Sequence, residues 1–322
     1  MKLQFDPNQH YQIQAINAIT GIFEGQPLDG SNTTFYIDRE DRLKLISGLG
    51  NNLVLSEEQI YKNLKAVQEQ NEIPVSKSFE GMNFSIEMET GTGKTYVYLR
   101  SIYELNRQFG FKKFVIVVPS VAIREGVLKN LQITHDHFQS IYDKTPLNFQ
   151  VYDSKKVSSL RSFATNNNIE ILVINIDSFA KDENIINRPN DRLTGQRPVE
   201  FIQATNPIVI VDEPQNMETP IRKKAIANLN PLCTLRYSAT HLNLYNLVYS
   251  LNPVKAYDLG LVKQIEVDSV ISENSSNQAF ILVESTNATK TKVTAKIKID
   301  TNSDSGVKKK SLSVKVGDDI YN

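Results

Sequence analysis

The apolar positions of the first seventy residues recur at helical intervals. Ile16, Ile19, Ile22 and Phe23 lie three or four apart and predict an amphipathic helix. Asp6-Pro7 is its expected opening, with Asp as cap and Pro in the first turn, and Gly25 its stop. Residues 26–52, rich in Gly, Asn, Asp and Ser, read as loop with short elements. Ser56-Glu57-Glu58-Gln59 is a capping-box pattern that starts a second helix, with Ile60, Leu64 and Val67 on one face.

After Pro74 the period changes to two. Phe84, Ile86 and Met88 alternate, so 83–88 predicts a strand, followed by a Gly-rich turn and a helix from Lys94 to about Phe109. Strands are expected at 114–118, 149–152, 170–174, 208–211 and 233–237, with a helix at 121–131 and helical stretches between most of the others. Strings such as Ile208-Val209-Ile210-Val211 belong in a parallel sheet buried on both faces. Strands alternating with helices predict an α/β fold, an open parallel sheet flanked by helices. The polar stretch 182–200 reads as a mobile surface insertion. Beyond Ile265 the texture turns β-rich, with strands expected at 279–284, 293–299 and 311–316. The expected organisation is therefore one α/β domain over 1–265 and a β-rich appendage over 266–322.

Composition adjusts this picture in three places. The length of 322 residues allows about two domains at roughly 150 residues each. With 36 Lys+Arg against 36 Asp+Glu the chain is neutral, which argues against a DNA-coating module but leaves room for a local basic groove. Ala288 to Val316 carries eight Lys against two Asp. Lysines guarding sheet edges and lysines contacting nucleic acid both fit that tail. The single cysteine, Cys233, excludes an intrachain disulfide and a Cys-based zinc cluster, and its apolar strand predicts a buried thiol. No charged-then-apolar leader opens the chain, and apolar strings such as Phe114 to Val118 are too short to span a bilayer. The expectation is a cytoplasmic protein with no membrane partner.

The strongest chemical signal is Thr90-Gly91-Thr92-Gly93-Lys94-Thr95, placed between a strand and a helix. Gly91 and Gly93 allow a tight turn whose amides approach phosphate oxygens, and the helix N-terminus adds partial positive charge. Lys94 would reach the β- and γ-phosphates of ATP, and the Thr95 hydroxyl would bind Mg²⁺. The full P-loop pattern wants Gly at position 88, where this chain has Met, a departure that suits the helicase form. Asp212-Glu213-Pro214-Gln215 follows a buried strand, at the end where open α/β sheets bind ligands. Asp212 would hold Mg²⁺ and Glu213 would orient and deprotonate the attacking water. Ser238, Ala239 and Thr240, after the next strand, would relay nucleotide state, and the Gln12 amide, with Tyr11 beside it, would read and stack on adenine. His135 and His137 lack a nearby third ligand and read as surface residues.

In this order the motifs resemble superfamily-two helicases and translocases. More closely, Gln12-x-x-Ala15-Ile16, Glu89 to Thr95, Val118-Pro119-Ser120-Val121-Ala122-Ile123-Arg124-Glu125-Gly126, Asp212 to Gln215 and Tyr237-Ser238-Ala239-Thr240-His241 are similar to the Res subunit of type III restriction-modification systems. The resemblance implies a RecA-like motor domain using ATP and Mg²⁺. It also implies double-stranded DNA as a partner, and a Mod methyltransferase subunit that recognises the site within a hetero-oligomer. ATP hydrolysis would let complexes communicate along DNA before cleavage. Pro119 and Ser120 fall at the motif that contacts the DNA backbone, although a plain strand-to-helix turn with Ser as cap explains them equally. The family's second motor domain, with its arginine finger, and its nuclease do not fit before Asn322. An N-terminal portion is therefore expected, one that binds ATP-Mg²⁺ weakly, hydrolyses it slowly, and neither translocates nor cleaves. Two alternatives stand beside this: another superfamily-two motor, such as a type I restriction motor or a repair helicase, and a catalytically silent fragment that docks on Mod.

Overall fold

The computed structural model describes residues 4–37, 46–193, 195–263, 281–289, 292–303 and 306–318. The chain divides into two compact units, Met1–Gln264 and Ile265–Asn322. The first opens with α1 (His10–Gly21), a small antiparallel pair β1 (Asn32–Ile37) and β2 (Ile46–Asn51), and α2 (Glu57–Gln70). Ser56 caps α2 as expected, its hydroxyl accepting from the Gln59 amide. Asp6 does not cap α1. Its carboxylate accepts from the Asn8 amide and the Gln9 side chain, a local turn that delays the helix to His10.

The remaining elements of this unit are β3 (Asn83–Met88), α3 (Lys94–Phe109), β4 (Lys113–Val118), α4 (Val121–Ile141), β5 (Leu147–Val151), α5 (Ser159–Thr165) and β6 (Ile169–Asn175). They continue through α6 (Pro198–Gln203), β7 (Ile208–Asp212), α7 (Pro220–Ala227), β8 (Cys233–Ser238), β9 (Leu247–Leu251) and α8 (Pro253–Asp258). β3 to β9 form one seven-stranded sheet in the order β5-β6-β4-β7-β8-β3-β9, and every pairing is parallel. The expected open parallel α/β sheet with flanking helices is present.

Strand alternation divides the core into two layers. Phe114, Ile116, Ile208, Ile210, Cys233, Leu235 and Tyr237 pack with α1, α2, α3 and α4 on one face. Val115, Val117, Leu172, Val209 and Val211 pack with α5, α6 and α7 on the other. Each such fully buried side chain contributes about 1.5–3 kcal/mol relative to exposure. Cys233 is buried as expected.

Three local expectations change. α4 runs ten residues past the expected 131, because Val127, Leu131, Thr134 and Phe138 keep a buried stripe at helical spacing through the polar His135–His137 stretch. β9 was hidden in a stretch without clear alternation; its register against β3 makes it a strand. The 182–200 insertion, expected to be mobile, is folded onto the second layer: Ile186 and Leu193 are buried, within short 3-10 turns at Ile185–Asn187 and Asp191–Leu193.

The second unit is a three-stranded antiparallel sheet of β10 (Ile281–Ala288), β11 (Val293–Ser303) and β12 (Gly306–Lys315). β11 buries Ile297 and Ile299 on one face and carries Lys296 and Lys298 on the other. β11 and β12 extend through polar residues because they pair along their length, down to Ser303↔Gly306, without an alternating apolar signal.

Candidate active site

Three strand ends meet around the Gly-rich turn. β3 lies beside β8, which lies beside β7, so Met88, Asp212 and Ser238 end neighbouring parallel strands. The turn is organised by Glu89: its carboxylate accepts from the Thr90 amide at 2.7 Å, and its carbonyl accepts from the Thr92 hydroxyl at 2.6 Å. Gly91 and Gly93 both adopt positive φ, 83° and 93°. A Cβ on Gly93 would stand 2.6 Å from the Gln12 side-chain nitrogen and displace it, and the positive φ favours glycine there whatever the space.

Gln12 donates through Nε2 to the Thr92 carbonyl at 3.1 Å and to the Tyr11 hydroxyl at 3.3 Å. It therefore braces the turn from α1. Tyr11 is half-buried against the first core layer.

The Lys94 ammonium pairs with Glu213 Oε1 at 2.7 Å. Glu213 Oε2 accepts from Gln215 Nε2 at 2.7 Å, and Gln215 Oε1 accepts from the Ser238 hydroxyl at 2.8 Å. The Thr240 amide donates to that same Ser238 oxygen at 2.9 Å, and Ala239 sits between them in the turn. Glu213 holds a left-handed backbone, φ 55° and ψ 59°, which aims its carboxylate back at Lys94. Burial disfavours its charge, but the hydrogen bonds from Lys94 and Gln215 win and lower its pKa.

Asp212 behaves oppositely. Alternation along β7 places it on the Ile208–Ile210 face, toward α3. Burial, then the neighbouring Glu213 charge, pushes its carboxyl up to about 6. Its side-chain hydrogen bond comes from the buried Tyr98 hydroxyl, to Oδ2 at 3.3 Å. Tyr98 stands one helical turn after Thr95, on the same side of α3. The strongest nearby cation, Lys94, is hydrogen-bonded to Glu213 rather than to Asp212. A buried carboxylate without a hydrogen-bonded cation, near a Thr hydroxyl, is a donor set that fits a hard divalent cation.

Pro119 and Ser120 end β4 and begin α4, where Ser120 Oγ accepts from the Ile123 amide at 3.3 Å. His137 lies tilted against the Phe5 and Tyr96 rings and shares a 2.9 Å hydrogen bond with the Tyr96 hydroxyl. Among the described residues no group of His, Cys, Asp and Glu is arranged to hold a metal by itself. An open cleft lined by Arg124, Asp153, Lys156, Ser178 and Glu183 contains none of the P-loop residues.

Sequence reasoning quoted Gln215 within a motif but gave it no role, and it missed Tyr98, Glu218 and Arg236. Arg236 shares the Ser238 side of β8 and is buried, pairing with Glu218 Oε1 at 2.9 Å. Glu218 Oε2 accepts from Lys223 at 2.8 Å and from Asn243 at 2.8 Å. The usable signals were spacings: Tyr98 three residues after Thr95, and Arg236 two before Ser238.

The family model described as "Type III restriction enzyme, res subunit" matches residues 7–242. The chain is 32% identical over 287 residues to the EcoPI Res subunit of Escherichia phage P1, covering 81% of this chain and 28% of that protein. It is 35% identical over 240 residues to the EcoP15I Res subunit of Escherichia coli, covering 66% of this chain and 24% of that protein. It thus spans about a quarter of the length of these curated relatives. Among solved structures, a nuclease-deletion mutant of the Type ISP restriction-modification enzyme LlaGI, in complex with a DNA substrate mimic, is 14% identical. It aligns over 64% of this chain and 20% of its own, with a TM-score of 0.37. Mss116p bound to ssRNA and AMP-PNP is 18% identical over 62% of this chain and 44% of its own, also with a TM-score of 0.37.

Proposed function

The chain belongs to the family of type III restriction enzyme Res subunits, and on that premise we propose that it carries the ATP-hydrolysing half-site of their DNA motor. The observation that carries this reading is the Lys94–Glu213 contact at 2.7 Å, made where the P-loop turn and the β7 end converge. A phosphate-binding lysine and a water-activating carboxylate belong within reach of one γ-phosphate.

On this reading each residue has a role. The turn amides from Thr90 to Thr95 cradle phosphates at the α3 N-terminus. ATP entering the turn would draw Lys94 onto phosphate oxygens and release Glu213. Glu213, freed from Lys94 and steered by Gln215, then takes a proton from the attacking water. Thr95 and Asp212 would hold Mg²⁺, which neutralises the charge that develops on the phosphates. Gln12 and Tyr11 would form the adenine end. Ser238, linked through Gln215 to Glu213, and Thr240, linked to Ser238, would report nucleotide state to the DNA-contacting side, where Pro119 and Ser120 face the phosphate backbone.

In the whole enzyme this site would drive communication along double-stranded DNA before cleavage, with site recognition delegated to a Mod methyltransferase subunit in the cytoplasm. Among the described residues no helix is long and apolar enough to cross a membrane.

The test is steady-state ATPase of the 322-residue chain and of its Glu213→Gln form, with and without DNA. The expected result is slow, Mg²⁺-dependent hydrolysis that Glu213→Gln lowers by about 10² or more, consistent with loss of a general base. Equal background signals in both would favour the silent docking fragment. Fast DNA-stimulated turnover would sink the view that the half-site alone is weak.

A further inference from the structure

We infer that Tyr98 is a positioning residue for the divalent cation, fixing the Asp212 carboxylate from beneath so that its other oxygen is presented to the metal beside Thr95. This deepens the ATP-site reading and rests on it.

Four observations converge. Tyr98 is fully buried, so its hydroxyl must find a partner inside the protein or forfeit its hydration. That partner is Asp212 Oδ2, at 3.3 Å. α3 periodicity puts Tyr98 on the same side as Thr95, one turn further along the helix. The ring itself is held edge-on against Tyr237, with centroids 5.4 Å apart at 65°, so the hydroxyl cannot swing away without unpacking the core.

The chemistry of a phenol suits this place. It can donate to one carboxylate oxygen without adding charge, whereas a lysine there would neutralise Asp212 and compete with the metal. Holding Oδ2 occupies one acceptor and leaves Oδ1 for a cation. Orientation by an outer hydrogen bond typically changes metal affinity 10–100-fold when it is removed. Because the Tyr98–Asp212 bond is long, at 3.3 Å, a change toward the lower end is expected here.

The test is Tyr98→Phe in the full chain, which deletes one oxygen and keeps the ring. Binding of a fluorescent ATP analogue is titrated with Mg²⁺, and Mn²⁺ binding is followed by electron paramagnetic resonance. The half-saturating Mg²⁺ and Mn²⁺ concentrations are expected to rise about 5- to 10-fold. Analogue binding in EDTA, and the far-ultraviolet spectrum, stay unchanged. Tyr237→Phe removes a neighbouring buried hydroxyl that has no hydrogen-bond partner, and it should leave the metal dependence unaltered. A merely structural Tyr98 would alter melting temperature and metal-free binding without moving the metal midpoint, and that result overturns the proposal alone. An equal metal shift in both Phe variants overturns it too. Absence of saturable analogue binding by the wild-type chain overturns the ATP-site reading and this inference together.

Discussion

The two ends of the seven-stranded sheet both bury charge, but they treat it in opposite ways. At the beginning of β4, Lys113 is fully buried, and its ammonium donates to the Phe163 and Asn166 carbonyls at 2.6 and 2.5 Å. Those carbonyls lie at the C-terminal end of α5, where a cation complements the helix dipole. Its register partner Glu170 accepts from Asn148 at 2.7 Å. Every strong group there has its partner within the chain. At the end of β7, Asp212 has a phenol and no hydrogen-bonded cation, and Lys94 is held by a carboxylate that water or phosphate would replace. Saturated charge closes a site; unsaturated charge leaves one open. Location in the sheet matters less than whether the partners are complete.

The Glu218–Arg236 pair tests that distinction, because its charges are paired within the chain, although Arg236 Nε has no hydrogen-bond partner, yet it stands at the same sheet end as Asp212. Arg236 is buried, its guanidinium sits 4.8 Å from the Tyr245 ring centre, and Glu218 gathers Arg236, Lys223 and Asn243. Removing one partner of such a pair strands the other charge. Glu218→Ala should therefore cost about 3–5 kcal/mol in urea unfolding, the largest stability effect expected in this molecule. ATP-analogue affinity per folded molecule should stay within about threefold. A variant of unchanged stability but tenfold weaker nucleotide binding would mean that proximity to the strand ends, not partner completeness, separates structural from functional charge.

Partner completeness also explains what was legible in the sequence. Six of the seven strands of the sheet are legible, the central ones because doubly buried strands such as Ile208–Val211 leave unbroken apolar strings, whereas β9 carries no such signal. The P-loop was readable because its backbone demands glycine at two positions, one of which faces Gln12 at contact distance. Tyr98, Gln215 and Arg236 were not, because their meaning lies in partners up to 114 residues away that only the fold brings together. The start of α1 was misplaced because Asp6 satisfies two local donors instead of capping the helix. The insertion at 182–200 reads as mobile because three anchoring apolar side chains, Ile186, Leu193 and Val199, are few against its polar composition.

Lys113 supplies the next effect in size and a dependence on pH. Lys113→Met leaves the Phe163 and Asn166 carbonyls without donors and should cost about 2–3 kcal/mol near neutral pH. Nucleotide binding should be untouched. Burial, outweighing the attraction of Glu170, pushes the Lys113 ammonium down from 10.5 to about 8. The folded state therefore binds fewer protons than the unfolded chain between those values. The sign of the linkage makes this contribution to stability rise with pH from about 8 to 10.5 and stay flat below 8. Urea midpoints of wild type and Lys113→Met across that window should show wild type gaining on the order of 2 kcal/mol on the variant. Parallel curves would place the ammonium in a wetter site than its burial implies.

The smallest effect bears on the one residue that both readings of the sequence claimed. Ser120 Oγ accepts from the Ile123 amide and so caps α4, but accepting uses a lone pair and leaves the hydroxyl hydrogen free for a phosphate oxygen. Capping and DNA contact are therefore compatible in one side chain, and two substitutions separate them. Ser120→Ala loses both, so stability should fall by about 1 kcal/mol and duplex affinity a few-fold. Ser120→Asp keeps an acceptor for the cap and favours the helix N-terminus, so stability should be held or slightly raised. The carboxylate lacks the hydrogen and repels phosphate, so anisotropy with a labelled duplex at low salt should show weaker binding than Ser120→Ala, equally for unrelated sequences. Duplex affinity that follows stability rather than charge across the two variants would reduce Ser120 to a cap. The DNA contact proposed for this sheet end would then rest on other groups.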